Sequence, residues 1–166
     1  MIKNKLLLFV FALIITSCFT ACAQVKDLHN RLTAYNRIDL TNINSRILQL
    51  VNEHRQSIGK EALKMIDVAS TQAAQHSRDM MNGSIPFGHE EFEKRVDAIK
   101  NNVGFINAAG ENVAYGQLTA DAVVDGWLHS PGHRKNIEGD YNLTGIGVAQ
   151  NGEGVVYFTQ IFVLKK

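Results

Sequence analysis

The chain has 166 residues, 45% of them hydrophobic and 20% charged. That is enough for one domain with a sizeable core, and too apolar for intrinsic disorder. Its 17 basic and 16 acidic side chains nearly cancel and form no basic stripe, which excludes an electrostatic nucleic-acid binder.

Lys3 and Lys5 precede an apolar run from Leu6 to Ile15. The run is too short to span a bilayer and suits the apolar region of a secretory signal. Ile15-Thr-Ser-Cys18 reads as a lipobox, with Cys18 as the lipidated residue. Ala21-Cys22-Ala23 before Gln24 also reads as a site for ordinary cleavage, with the lipobox the favoured reading. Both readings make residues 1–23 a leader and export the chain, either as a membrane-anchored lipoprotein (periplasmic or cell-surface) or as a secreted protein. Contact with a membrane is then expected only through Cys18. Cys18 and Cys22 are the only cysteines, so the rest of the chain has neither a disulfide nor a thiol nucleophile.

Residues 24–40 are mixed and polar and read as a tether; the domain proper spans 41–166. Thr41 or Asn42 can cap a first helix in which Ile43, Ile47, Leu50, Val51 and His54 recur at helical spacing and which Gly59 ends. Asp67 is placed to cap a second helix, with Ala69, Ala73, His76 and Met80 on one face and Asn82-Gly83 at its end. The small alanines predict close packing against another element. Glu90–Asn102 reads as a third helix striped by Phe92, Val96 and Ile99. Phe105–Gly116 is poorly periodic and reads as a strand leading into a glycine-bounded loop that carries Glu111. Thr119 caps a fourth helix with Val123, Val124, Trp127 and Leu128. Two alternating runs around Asn151-Gly-Glu-Gly154 predict an antiparallel hairpin. Helices first and strands last make the fold class α+β.

Pro131-Gly132 stands between His129 and His133. Proline clashes with the preceding helical turn and lacks a donor, so the fourth helix must stop near Ser130 and the two imidazoles must point in different directions.

Five motifs in order give a resemblance: Leu50-Val-Asn-Glu-His-Arg55, Phe87-Gly-His89, Gly110-Glu-Asn-Val-Ala114, Trp127-Leu-His-Ser-Pro-Gly-His-Arg-Lys-Asn-Ile137 and Tyr157-Phe-Thr-Gln-Ile-Phe162. The chain resembles the CAP superfamily (cysteine-rich secretory proteins, antigen 5 and pathogenesis-related proteins) in its bacterial branch, over about residues 43–164. The resemblance implies an α–β–α sandwich with a central antiparallel sheet between helical layers. It also implies a cleft lined by two histidines and two acids. By motif position His89, Glu111 and His133 are the catalytic or binding candidates, and His89 and His133 the metal-ligating pair, with Zn²⁺ as the implied ion. The fourth position, an acid in the family, is Ser130 here.

Each candidate also has a structural reading: His133 as a brace at the helix break, His89 as a cap of the third helix, Glu111 as an acceptor for loop N–H groups. A carboxylate that orients a histidine satisfies both readings at once. His54 and His76 read as core histidines, Trp127 as a core anchor, and Arg134 and Asn136 as clamps after the break.

Two functions stay open. One is a binding module whose cleft holds a peptide, glycan, lipid or other small molecule; several family members bind lipids. The other is a metal-assisted hydrolase in which zinc activates a water. His-Glu-x-x-His and a Ser-His-Asp pattern are both absent, which favours binding. The sequence names neither the ligand nor the oligomeric state.

Overall fold

The structure is a computed structural model and describes residues 24–26, 40–116 and 119–166. Residues 24–26 form a helical turn in a unit spanning residues 1–38. The leader, Cys18, Cys22 and most of the tether lie outside the described residues. Residues 39–166 form a second unit. Its elements run α1 (Leu40–Ser57), β1 (Lys64–Met65), α2 (Asp67–Met81), α3 (Phe92–Val103), β2 (Ala108–Tyr115), α4 (Ala120–His129), α5 (Pro131–Ile137), β3 (Leu143–Gln150) and β4 (Val156–Leu164). Among the described residues no helix is long and apolar enough to cross a membrane.

The sheet order is β1-β3-β4-β2. β3 and β4 form the predicted hairpin, in register from Leu143 opposite Val163 to Gln150 opposite Val156. Asn151 closes the turn, its side-chain oxygen accepting from the N–H groups of Glu153 and Val155. β2 pairs antiparallel with β4, Glu111 opposite Ile161 and Asn112 opposite Gln160. β1 adds two residues parallel to β3, too few to leave a period in the sequence.

Strand alternation divides the core. Ile161 and Val163 face α2 and α3, where they pack with Ala69, Ala73, Val96, Ile99 and Ile106. Phe158 and Phe162 point the opposite way and are fully buried, as are Ile47 and Val51 of α1 and Trp127 of α4. The result is an α–β–α sandwich whose three long strands are antiparallel.

The alanine face of α2 meets two glycines of β3. A Cβ at Gly147 would lie 2.0 Å from the Ala74 nitrogen, and one at Gly145 would lie 2.1 Å from the Ala69 carbonyl carbon. Helix and strand backbones therefore touch where side chains normally keep them apart.

Local starts and stops differ from the sequence reading in four places. α1 begins at Leu40, ahead of Thr41 and Asn42. Ile66, not Asp67, occupies the cap position of α2; Asp67 sits in the first turn, where its charge still favours the helix dipole. α3 begins at Phe92, after Glu91 adopts a left-handed conformation at φ 60°. The segment through Glu111 is a continuous eight-residue strand rather than a loop. At the other end, Thr119 caps α4 as predicted, its hydroxyl accepting from the Ala122 N–H at 3.0 Å. The chain then breaks at an extended Ser130, but Pro131 opens a new helix, α5, at the one position where its missing N–H costs nothing.

Arg55 holds that second helix in place. It is buried, and its guanidinium donates to the carbonyls of Glu61 (2.9 Å), Ile137 (2.7 Å), Gly139 (2.8 Å) and Tyr141 (2.9 Å). Burial lowers its pKa, with the Asp140 charge opposing.

Candidate functional site

β2 carries the centre of the site. Alternation sends Glu111 toward the α2/α3 layer and Asn112 toward α5. Glu111 is buried and receives two hydrogen bonds from Arg95 of α3, Nε to Oε2 at 2.8 Å and Nη2 to Oε1 at 2.7 Å. This is the bidentate geometry that makes arginine–carboxylate pairs strong. Arg95 is itself buried and also donates to the Glu90 carbonyl at 2.7 Å. His89 Nδ1 lies 2.9 Å from Glu111 Oε1, with its side chain half exposed. The carboxylate thus fixes the imidazole and leaves Nε2 free to face outward.

His76 sits beneath this pair. Its side chain is fully buried, Nε2 lies 2.9 Å from the Gly88 carbonyl, and Glu111 Oε1 is 3.7 Å away. His76 is therefore a core histidine that braces the loop delivering His89. Burial lowers its pKa, and the Arg95 and His89 charges add to this, while Glu111 and the Gly88 bond oppose it. In the unfolded chain a histidine protonates near pH 6.5. As pH falls below that value the unfolded state binds the proton first, so stability drops until the folded pKa is reached. Denaturation midpoints should therefore decrease from pH 7 to pH 5, with a slope of up to about 1.4 kcal/mol per pH unit for one proton. His76→Gln, which keeps a donor for Gly88, should flatten that slope. A slope equal to the wild type's would assign the acid sensitivity to another group.

On the opposite side of β2, Asn112 Nδ2 donates to the His133 carbonyl at 3.1 Å. Asn136 Nδ2 donates to Asn112 Oδ1 at 2.9 Å and to the Glu111 carbonyl at 3.0 Å. Trp127 Nε1 donates to the Val113 carbonyl at 3.3 Å. These bonds press α4 and α5 against β2 and fix where His133 emerges. Burial lowers the His133 pKa, and the His89 charge lowers it further.

His133 lines a cleft of about 270 Å³ together with Ser130, Trp127, Val123, Val113 and the exposed rings of Phe87 and Tyr115. Phe87 meets Tyr115 edge-on at 4.8 Å, and Tyr115 stacks on Tyr157 at 5.8 Å. His129 lines a different groove on the far side of α5, and its Nδ1 lies 2.9 Å from the Asp125 carbonyl. His54 is half-buried beside Glu138 at 2.9 Å rather than in the core.

The sequence reading missed Arg95 and the Phe87–Tyr115 rings, whereas Ser130, at the fourth cleft position by motif, does line the cleft. Arg95 had a signal: Phe92, Arg95, Val96 and Ile99 share one helical stripe. An arginine on an apolar stripe must find a buried partner.

A zinc site ordinarily takes three or four protein ligands. Among the described residues no group of three or more His, Cys, Asp or Glu side chains is placed to hold a metal. Both oxygens of Glu111 are engaged by Arg95. The donor set beside β2 thus falls short of a zinc site, and no step is assigned to the metal.

Residues 48–162 match the CAP (cysteine-rich secretory protein) family. The chain is 35% identical to the uncharacterized protein YkwD of Bacillus subtilis over 122 residues, which are 72% of this chain and 46% of that protein. It is 32% identical to the uncharacterized membrane protein YlbC of the same organism, over 74% of this chain and 35% of that protein. The chain thus spans less than half the length of these relatives. Among solved structures, an extracellular SCP-domain protein of Bacillus anthracis aligns with TM-score 0.64 and 28% identity, over 75% of this chain and 41% of that one. An outer surface protein of Borrelia burgdorferi shares the fold with TM-score 0.68 at 20% identity, over 78% of this chain and 97% of that one.

Proposed function

The chain belongs to the CAP (cysteine-rich secretory protein) family, and from that premise we propose an exported binding module whose cleft between β2, α4 and the Phe87 loop receives its ligand. One observation carries this reading: the only acid of the site, Glu111, is engaged by Arg95 and His89 and is buried. It is an orienting group and not a free base. What faces the cleft is apolar surface, two aromatic rings, the Ser130 hydroxyl and His133, a lining of the kind that binds more readily than it hydrolyses. The ligand classes that fit are a peptide, a glycan or a lipid. Export agrees with the apolar run at Leu6–Ile15 and with the similarity to an extracellular SCP-domain protein of Bacillus anthracis.

Trp127 is the only tryptophan and borders the cleft, so its fluorescence reports occupancy. Titration with a short peptide, a chitin oligosaccharide and a fatty acid should give a saturable change with one class. Phe87→Ala or His133→Ala should remove that change. Silence with all three, together with zinc-dependent hydrolysis of an ester or amide lost in His89→Ala, would replace this reading with the hydrolase.

The same cleft tests the metal. Ser130 lines it beside His133, so Ser130→Glu would add a carboxylate to the two imidazoles. Zinc affinity should rise roughly tenfold or more over the wild type. An unchanged affinity would argue against His89 and His133 as a metal-holding pair.

A further inference from the structure

Phe87 and Tyr115 are 48% and 54% exposed. They meet at 4.8 Å, and Tyr157 backs Tyr115 at 5.8 Å with the two planes only 20° apart. Tyr115 and Tyr157 face each other across β2 and β4, and Phe87 lies in the loop that delivers His89. These contacts hold the rings in place while half of Phe87 and Tyr115 stays open to solvent. The cleft lining beside them is uncharged: among the described residues it holds no lysine, arginine or carboxylate. Its polar groups are the Ser130 and Tyr115 hydroxyls and the His133 imidazole, which burial holds below the ordinary histidine range and so neutral at pH 7. Each of these can both donate and accept a hydrogen bond.

At about 270 Å³ the cleft is smaller than the ~300–1,000 Å³ of pockets that enclose a small ligand. A ligand must therefore extend out of it, over the open rings. An acyl chain laid there would stay largely in water and lose the burial that binds it. A peptide would seek backbone partners along β2, but the carbonyls of Glu111 and Val113 already accept from Asn136 and Trp127. A sugar chain suits both parts of the site. The C–H groups on its flat ring faces pack on the negative face of an aromatic ring, and its hydroxyls either stay hydrated or bond Ser130 and His133. On the reading of the cleft as a binding site, we propose that its ligand is an uncharged β-1,4-linked oligosaccharide, seated on the Phe87 and Tyr115 rings with one end in the cleft. Equatorial linkages of this kind leave axial C–H groups on both faces of each sugar, so successive units present flat surfaces.

Calorimetry with chitotetraose and cellotetraose should show saturable binding of at least one, insensitive to added salt because no charges pair. Phe87→Leu keeps apolar area but removes the π face, and should weaken binding roughly fivefold or more. Tyr115→Ala should do the same. Both side chains are half exposed, so the melting temperatures of these variants should stay near the wild type's. Phe105→Leu, which alters a 77% exposed ring outside the cleft, should leave binding unchanged. Silence with both sugars, a steep salt dependence, undiminished binding by Phe87→Leu, or equal weakening by Phe105→Leu would each overturn the proposal. Saturable binding of a peptide or a fatty acid in place of the sugars would overturn it and leave the binding module standing. Zinc-dependent hydrolysis with no ligand retained would remove the module itself.

Discussion

Gly147→Ala should leave the protein largely unfolded. The added methyl would sit 2.0 Å from the Ala74 nitrogen and 2.2 Å from the Ala73 carbonyl carbon. These are backbone atoms of a helix packed on both β3 and β4, so no rotamer change relieves the clash. The helix must lift off the sheet and open the core around Ala73, Ile161 and Val163. Overpacking costs about 1–3 kcal/mol where side chains can yield, and more where they cannot. A domain with about 5–15 kcal/mol in total tolerates little of that. Gly126→Ala is the internal control: it adds the same methyl to exposed α4, with nothing within 4 Å. Helix propensity should make it stabilising by about 0.5–1 kcal/mol. Denaturant midpoints for the pair should move in opposite directions. A folded Gly147→Ala protein with a wild-type midpoint would mean that helix and strand do not touch as described.

Arg95→Met should be nearly as damaging, for a different reason. It would strand the buried Glu111 carboxylate with only the two histidines, His89 at 2.9 Å and His76 at 3.7 Å, beside it. Breaking one side of a buried ion pair costs about 3–5 kcal/mol. Adding Glu111→Leu should restore much of the lost stability, because an apolar pair needs no desolvation compensation. The double variant should nevertheless lose the fixed orientation of His89. Calorimetry therefore ought to show a recovered melting temperature, while the His89 imidazole resonances lose the signature of a bonded Nδ1. If the double variant is less stable than Arg95→Met alone, the carboxylate has a stabilising role beyond this pair.

The hairpin, the capped start of α4 and the alanine face of α2 were readable because each rests on local chemistry: alternation, an Asx turn, a threonine cap, small residues on one stripe. β2 was not. Its centre is Glu111-Asn112, and polar residues inside a strand look like a turn until their partners are known. Those partners, Arg95, His89 and Asn136, come from three other elements. The buried roles of Arg55 and Arg95 went unread for the same reason. Arg55 and Arg95 both continue apolar stripes, after Ile47 and Val51 in α1 and beside Val96 and Ile99 in α3, but charge alone suggests a surface position. Pro131 was read as a stop because its clash with a preceding turn is certain. Whether a new helix begins after it depends on Arg55 collecting the carbonyls of Ile137 and Gly139. The motifs named His89, Glu111 and His133 but not how they meet. They do so around one strand, β2, whose Glu111 bonds the His89 ring and whose Asn112 bonds the His133 carbonyl.

That strand also forms one edge of the sheet, the other being β1. Outer strands present free carbonyls that invite another chain to pair and propagate. Here the carbonyls of Glu111 and Val113 already accept from the side chains of Asn136 and Trp127. An incoming strand would have to strip away two donors and dislodge α4 or α5 before gaining a ladder of its own. The same bonds that seat His133 at the cleft thus close this edge of the sheet to polymerisation. Variants that loosen α5 should be recognised first by fibril formation, before any loss of ligand is measured.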